Sequence, residues 1–245
     1  NYLIRPERPP MTRQPIPNAA HEKTRWDIVA MAILAGVMCG VQIGKVPPTL
    51  PILRIELGMD LVTAGWVASL ITVCGATFGT IAGLLIDRTG PRRLIGVCLA
   101  IVSIGGGIGA LANSEMMMLF SRFVEGVGLL GTAVAAPAII RSACVTSDRN
   151  LALGLWGAYL PAGMAIGILT APSALEAAGW RGYWWINAGF TASFAIFLAL
   201  RVTPRNWPVS AILKGKRKHT PAIQILKRPG PWLYAVCFSF YALMY

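Results

Sequence analysis

The sequence predicts an all-α membrane protein whose helices cross the bilayer several times. Of its 245 residues, 55% are hydrophobic and only 13% are charged, and the mean hydropathy is +0.60. The apolar residues form runs near the length of about 20 that a helix needs to cross hydrocarbon. Because lipid cannot hydrogen-bond to backbone groups, each run is expected to be helical. A soluble domain rarely has this composition.

Six apolar runs are candidate membrane spans. They cover residues 26–46, 62–86, 94–112, 116–140, 151–171 and 183–200. A basic, proline-rich tail, residues 1–25, precedes them, and a basic linker, residues 201–230, follows. A seventh apolar run, residues 231–245, is shorter than the roughly 20 residues of a span. Since the chain also begins at Asn1 rather than Met, we expect it to be a fragment of a longer protein.

Lysine and arginine lie mostly on one side of these spans. With the N-terminus inside, 18 of the 22 basic residues fall in cytoplasmic segments and three fall outside. This asymmetry predicts a cytoplasmic N-terminus in a cell (plasma) membrane. The net charge of +12 does not indicate nucleic-acid binding, because the basic residues lie between apolar spans and not on one soluble face.

Tryptophans lie near the predicted span boundaries, where amphipathic rings prefer to sit. They are Trp26, Trp66, Trp180, Trp184, Trp185 and Trp232.

Residues 83–95 form a short charged turn between spans two and three. Gly90 and Pro91 break the helix, and Asp87 stands where the second span leaves the apolar phase. A carboxylate there needs a cation or helix N–H groups as partners. A plain basic loop that only sets topology is the alternative interpretation.

This turn resembles the signature loop between helices two and three of the major facilitator superfamily, Gly-x-Leu-x-Asp-Arg-x-Gly-x-(Arg/Lys). The matching residues are Gly83, Leu85, Asp87, Arg88, Gly90 and Arg92. Pro91 departs from the pattern where a basic residue is usual, and Arg93 follows nearby. The resemblance implies a cytoplasmic gate formed by Gly83, Asp87, Arg88, Gly90, Arg92 and Arg93.

Span four carries two charges that hydrocarbon does not solvate. Arg122 and Glu125 are three residues apart, so they share a helical face and partly neutralise each other. The surrounding residues resemble the superfamily motif Leu-x-x-Arg-x-x-Gln-Gly-x-Gly, with Glu125 in place of the usual Gln. Glu125 is therefore either a proton-coupling group or half of a structural ion pair. In this motif Gly126 and Gly128 are expected to pack against neighbouring helices.

Span one ends with Gln42 and Lys45 on one face. In the family that the chain resembles, helices one and four line the central cavity. The resemblance thus implies that Lys45, Gln42 and Arg122 contact a solute, and two cations would favour an anion. The alternative for Lys45 is snorkelling to the outer interface.

Span five contains Pro161, a predicted kink, and Gly163, a predicted packing residue. Together with the stretch that begins at Lys45, this span shows a weaker resemblance to the cyanate/nitroimidazole porter branch. Gly75, Gly79 and Gly83 repeat every four residues in span two and are also expected to pack.

The family resemblance implies a six-helix N-terminal bundle over residues 26–200, made of two inverted three-helix repeats, followed by the truncated start of helix seven. It also implies secondary active transport of a small anionic organic solute by alternating access, with possible coupling to protons. The expected partners are the solute, the lipid bilayer and a C-terminal six-helix half of the same chain.

Two other functions are alternatives to transport of an anion. Efflux of drugs or cations is the first alternative, although Glu125 is the one carboxylate within these spans that could attract a cation. A membrane-embedded enzyme or sensor is the second, and it usually carries a catalytic cluster inside its spans. The five cysteines are dispersed, and His21 and His219 lie in polar flanks. The sequence thus indicates no catalytic residues, metal site or cofactor.

Overall fold

The computed structural model describes residues 23–74 and 91–201. Within these residues the chain is almost entirely helical and contains no strand. The tail before residue 23, the glycines at positions 75, 79 and 83, and most of the charged turn lie outside the described residues. The linker and the seventh run lie outside them too.

Seven helices make up the described part of the chain. They are α1 (Trp26–Gly44), α2 (Val46–Glu56), α3 (Leu61–Cys74), α4 (Pro91–Ala110), α5 (Glu115–Ala143), α6 (Arg149–Gly157) and α7 (Tyr159–Arg201). Within the described residues, four helical stretches are long and apolar enough to cross a membrane: Trp26–Glu56, Arg93–Ala110, Glu115–Ala143 and Arg149–Arg201. The class of all-α membrane protein is therefore confirmed, and the number of six spans stays a prediction.

The first span continues past its predicted end. α1 stops at Gly44, the chain passes through Lys45, and α2 extends the helical stretch to Glu56. The two prolines after Val46 lie in the first turn of α2. Proline is tolerated there because the first N–H groups of a helix have no intrahelical acceptor. The helical stretch therefore runs ten residues beyond position 46, where the predicted first span ends.

Two breaks interrupt the helical stretch that contains the predicted spans five and six. α6 ends at Gly157 and α7 begins at Tyr159, so Pro161 occupies the first turn of α7 and the break lies just before it. α7 then runs to Arg201 with one non-helical residue, Gly179, at φ 63° and ψ −178°. This region of φ and ψ is accessible essentially to glycine alone. Residues 172–182, which we expected to connect spans five and six, are therefore helical except at Gly179.

Small residues let the helices approach closely. On α1, Gly40 faces Gly163 of α7, and a Cβ added to Gly40 would lie 2.9 Å from the Cα of Gly163. On α5, Gly126 lies against Cys74 of α3, and Gly128 lies against the backbone of α4. Helices in membranes associate through such close contacts because lipid supplies little hydrophobic driving force between them.

Polar contacts fasten both ends of the bundle. At one end Arg25 N–H donates to the Ala143 carbonyl at 2.9 Å, and Thr24 Oγ1 donates to Asp148 Oδ2 at 2.6 Å. At the other end Glu56 accepts from Trp180 Nε1 at 2.7 Å and from Arg181 Nη1 at 2.9 Å. The ends of α1, α5 and α6 are thereby tied together, as are the ends of α2 and the middle of α7.

The start of α3 has its own cap. Asp60 Oδ1 accepts the backbone N–H of Thr63 at 2.7 Å, and this bond lowers the pKa of the Asp60 carboxyl. An aspartate that accepts an otherwise unpaired N–H in this way stabilises the beginning of a helix.

The tryptophans divide into two groups. Trp26, Trp66 and Trp185 are 42%, 48% and 48% exposed, which fits a position facing lipid or the interface. Trp180 and Trp184 are buried. Trp180 Nε1 donates to Glu56, and the Trp184 ring lies against the Lys45 ammonium.

We expect Gly163→Ala to destabilise the bundle. The new Cβ would lie 2.7 Å from the Cα of Gly40, which is backbone and cannot move aside. Overpacking of this kind costs about 1–3 kcal/mol. Thermal unfolding of the detergent-purified chain would measure the loss. Gly189→Ala is the matched control, since a Cβ there meets nothing within 4 Å, and an equal loss in both variants would contradict the role of this contact.

Candidate functional site

One carboxylate holds two cations in the middle of the bundle. Lys45 Nζ lies 2.6 Å from Glu125 Oε1, and Arg122 Nη1 pairs with Glu125 Oε2. All three side chains are completely buried. The predicted Arg122–Glu125 pair is therefore present, and Lys45 reaches the same carboxylate from the junction of α1 and α2. We call Lys45, Arg122 and Glu125, together with Gln42, the charge network.

Gln42 connects the charge network to α7. Its Oε1 accepts from Lys45 Nζ at 2.5 Å, and its Nε2 donates to Thr191 Oγ1 at 2.8 Å and to the Asn187 carbonyl at 3.1 Å. The amide oxygen thus binds the Lys45 ammonium, and the amide nitrogen binds the two oxygen acceptors on α7. The amide therefore has a defined orientation between two helices.

Arg122 connects the charge network to α3 and α1. Its Nε donates to the Val67 carbonyl at 3.1 Å, and its Nη1 donates to the Gln42 carbonyl at 3.2 Å. Its Nη2 has no partner in the described part of the chain. A planar guanidinium with five N–H donors can thus bridge three helices and retain the two N–H groups of Nη2 unused.

Trp184 covers the charge network from α7. Its ring centroid is 3.9 Å from Lys45 Nζ and 5.8 Å from Arg122 Cζ. Cations favour the face of an indole ring, more so when water is excluded. Gly109 of α4 makes room for this ring, because a Cβ there would collide with it and would lie 2.6 Å from Ser121 Oγ.

The charges of the network do not balance. One carboxylate faces two cations, so the enclosed group carries a formal excess of one positive charge. Three further polar atoms near it, Arg122 Nη2, Trp184 Nε1 and Ser121 Oγ, are buried without a hydrogen-bond partner in the described residues. Burying a charge without a counterion, or a donor without an acceptor, costs free energy. An acceptor that bonded to these unpaired donors would lower that cost. Within the described residues, the charge network therefore holds one cation more than it holds carboxylates.

The structure brings Gln42, Lys45, Arg122 and Glu125 together, whereas the sequence analysis grouped the first three as solute contacts and paired Glu125 with Arg122 alone. It does not place Lys45 at the interface, because the burial and the two bonds of its ammonium exclude snorkelling. Of the predicted gate, Gly83, Asp87, Arg88 and Gly90 lie outside the described residues, as does the side chain of Arg92. Arg93 is exposed in the first turn of α4. The described residues contain no group of three or more potential metal ligands from His, Cys, Asp and Glu.

Sequence reasoning missed the contribution of α7. Trp184, Asn187 and Thr191 are spaced by three and four residues, which places them on one helical face. That polar stripe within an apolar span was the available signal. The Lys45–Glu125 pair joins residues 80 apart in the chain, and no local pattern indicates such a contact.

Comparison with known proteins agrees with this architecture. The sequence model of the Major Facilitator Superfamily matches residues 31–245. NiaP of Bacillus subtilis (strain 168), whose name gives niacin or nicotinamide as the transported compound, is 25% identical over 224 residues, 88% of this chain and 56% of NiaP. Puromycin resistance protein pur8 of Streptomyces alboniger is 25% identical over 203 residues, 81% of this chain and 40% of that protein. The chain thus spans about half the length of these curated relatives.

Solved structures share the fold. A bacterial homologue of the human lysosomal transporter Spinster, in an inward-facing and unoccupied conformation, superposes with a TM-score of 0.66 at 18% identity, covering 75% of this chain and 44% of that one. The xylose transporter XylE from E. coli, inward open, gives a TM-score of 0.61 at 17% identity, covering 82% of this chain and 54% of XylE. These relatives are transporters, not enzymes.

We expect Glu125→Gln to destabilise the chain more than Lys45→Met does. Without Glu125, two buried cations lose their counterion, and breaking a buried pair in this way costs about 3–5 kcal/mol. Without Lys45, Arg122 and Glu125 remain as a balanced pair, so the loss should be smaller. Thermal unfolding of both variants in the same detergent gives the order, and a larger loss in Lys45→Met would show that the ammonium and not the carboxylate organises the network.

Proposed function

The chain belongs to the Major Facilitator Superfamily, and we propose that the protein is a secondary active transporter that moves a small anionic organic solute across the membrane by alternating access. The family match over residues 31–245 supports transport. One observation carries the choice of an anion: the charge network encloses two cations and a single carboxylate. We place the protein in the plasma membrane with a cytoplasmic N-terminus, from the distribution of its basic residues.

The excess charge supports an anion on energetic grounds. A solute carboxylate about 4 Å from one uncompensated cation gains about 4 kcal/mol at an effective dielectric constant near 20. The free donors of Arg122 and Trp184 would offer it hydrogen bonds, and such charge-assisted bonds are among the stronger ones in proteins. The name of NiaP is consistent with this class, because niacin is a carboxylic acid.

Gln42, Lys45 and Arg122 are the proposed solute contacts. All three are buried in the described structure, so a path for the solute would have to open beside the charge network. In alternating access, two bundles rock around a central site, and this motion would open the face of this bundle that meets the other half. The turn with Asp87, Arg88 and Arg92 is the proposed gate at the cytoplasmic side.

Glu125 is the proposed proton-coupling group. Its two oxygens bind Lys45 and Arg122, so a proton on this carboxylate would weaken both pairs and release both cations toward the solute. The bound anion would then take over as their counterion. Proton and anion would move together by this exchange of partners.

Efflux of drugs or cations is the second candidate function. It is favoured by the likeness to puromycin resistance protein pur8, since puromycin carries an amine. A buried carboxylate attracts an organic cation, and Glu125 is such a carboxylate. It is already bound by two cations, however, and this favours the anion.

We expect Lys45→Ala in the full-length protein to lower anion transport about 10- to 100-fold, the effect of losing a charge-assisted contact worth about 1.5–3 kcal/mol. Counterflow in liposomes with a panel of carboxylates and cyanate would measure it, with expression and monodispersity checked in parallel. Arg54→Ala, which removes an exposed cation of α2, is the matched control. Unchanged transport in Lys45→Ala would remove Lys45 from the site, and transport of cationic dyes alone would favour efflux.

We expect Glu125→Gln to separate solute movement from the proton gradient. Counterflow, which needs no gradient, should persist in folded protein, whereas accumulation driven by an imposed pH difference should be lost. Both assays use the same proteoliposomes, so the destabilisation of the variant affects them equally. Accumulation that still follows the pH gradient would contradict the role of Glu125.

A further inference from the structure

A groove separates α4 from the last part of α7. The two helices pack closely where Ser103 Oγ donates to the Ala188 carbonyl at 2.8 Å. Toward the start of α4 and the end of α7 they leave a cavity of 440 Å³. We call this cavity the α4–α7 groove. Its lining includes Arg93, Gly96, Val97 and Ala100 of α4 and Leu198 and Ala199 of α7.

The groove is apolar and open. A Cβ added to Gly96 would meet nothing within 4 Å, so the space above this residue is free. Val97 is 55% exposed and Leu200, beside the groove, is 75% exposed. Both helices belong to stretches able to cross a membrane. A ligand in the groove would therefore lie among apolar side chains and in contact with the hydrocarbon of the bilayer.

A cation stands at one end of the groove. Arg93 begins the membrane-spanning stretch Arg93–Ala110 and is exposed. No carboxylate pairs with it in the described residues. Arg201, at the end of α7, has its guanidinium 5.6 Å from the Phe197 ring. Basic pockets between membrane helices near the cytoplasmic surface bind the head groups of anionic lipids.

We propose that the α4–α7 groove binds an anionic phospholipid, with one acyl chain along Gly96 and Ala100 and the phosphate paired with Arg93. The shape and the apolar lining of the groove fit the acyl chain, and the unpaired guanidinium of Arg93 fits the negative charge of the phosphate. The site is separate from the charge network and does not depend on what the protein transports.

Native mass spectrometry of the detergent-purified full-length protein tests this site. The protein is titrated with phosphatidylglycerol or phosphatidylcholine of the same chain length. Wild type should retain phosphatidylglycerol about fivefold better, the effect of about 1 kcal/mol for one surface cation. Arg93→Gln should lose this preference. Gly96→Leu, which fills the free space, should lose retention of both lipids while keeping the fold.

Two control variants separate a built site from general surface charge. Arg141→Gln removes another exposed basic residue, at the end of α5, and Gly65→Leu fills another open position, on α3. Both should bind lipid as wild type does. Equal loss of preference in Arg93→Gln and Arg141→Gln, or unchanged binding in Gly96→Leu, would overturn the proposal. So would the absence of lipid binding to wild type, as when another segment of the chain fills the groove.

Discussion

The fold depends on how one carboxylate is shared inside the membrane. Glu125 binds Lys45 and Arg122 at once, and each cation comes with further bonds to other helices. None of these groups could remain charged in hydrocarbon alone, so α1, α3, α5 and α7 solvate one another's polar atoms. The charge network therefore acts as the polar centre around which apolar helices assemble.

The glycines are arranged to make this centre possible. On α4, a Cβ at Gly105 would lie 2.8 Å from the backbone nitrogen of Glu125, and one at Gly106 would lie 3.5 Å from Lys45 Nζ. Gly109 gives the same clearance to Trp184. The glycine-rich face of α4 thus serves electrostatics as well as packing, because larger side chains there would hold the ions apart and leave them without partners.

The sequence predicted the helical class and the four polar members of the charge network, since hydropathy and charge in apolar runs are local properties. It did not predict that Lys45 meets Glu125, because the contact joins distant helices. It also did not indicate that the Trp184 ring covers Lys45, because an indole is equally suited to an interface and to a cation. Gly179 lies in residues 172–182, the predicted connection between spans five and six, but only the backbone geometry shows that the helix is broken at this one residue.

The single-residue joint at Gly179 also determines how movement travels through the molecule. No slack loop separates the two parts of α7, so a rotation of the part that holds Gly163 must swing the part that carries Trp184. We therefore expect a displacement at the contact with α1 to reach the indole ring over Lys45 more directly than it would through a longer, flexible connection.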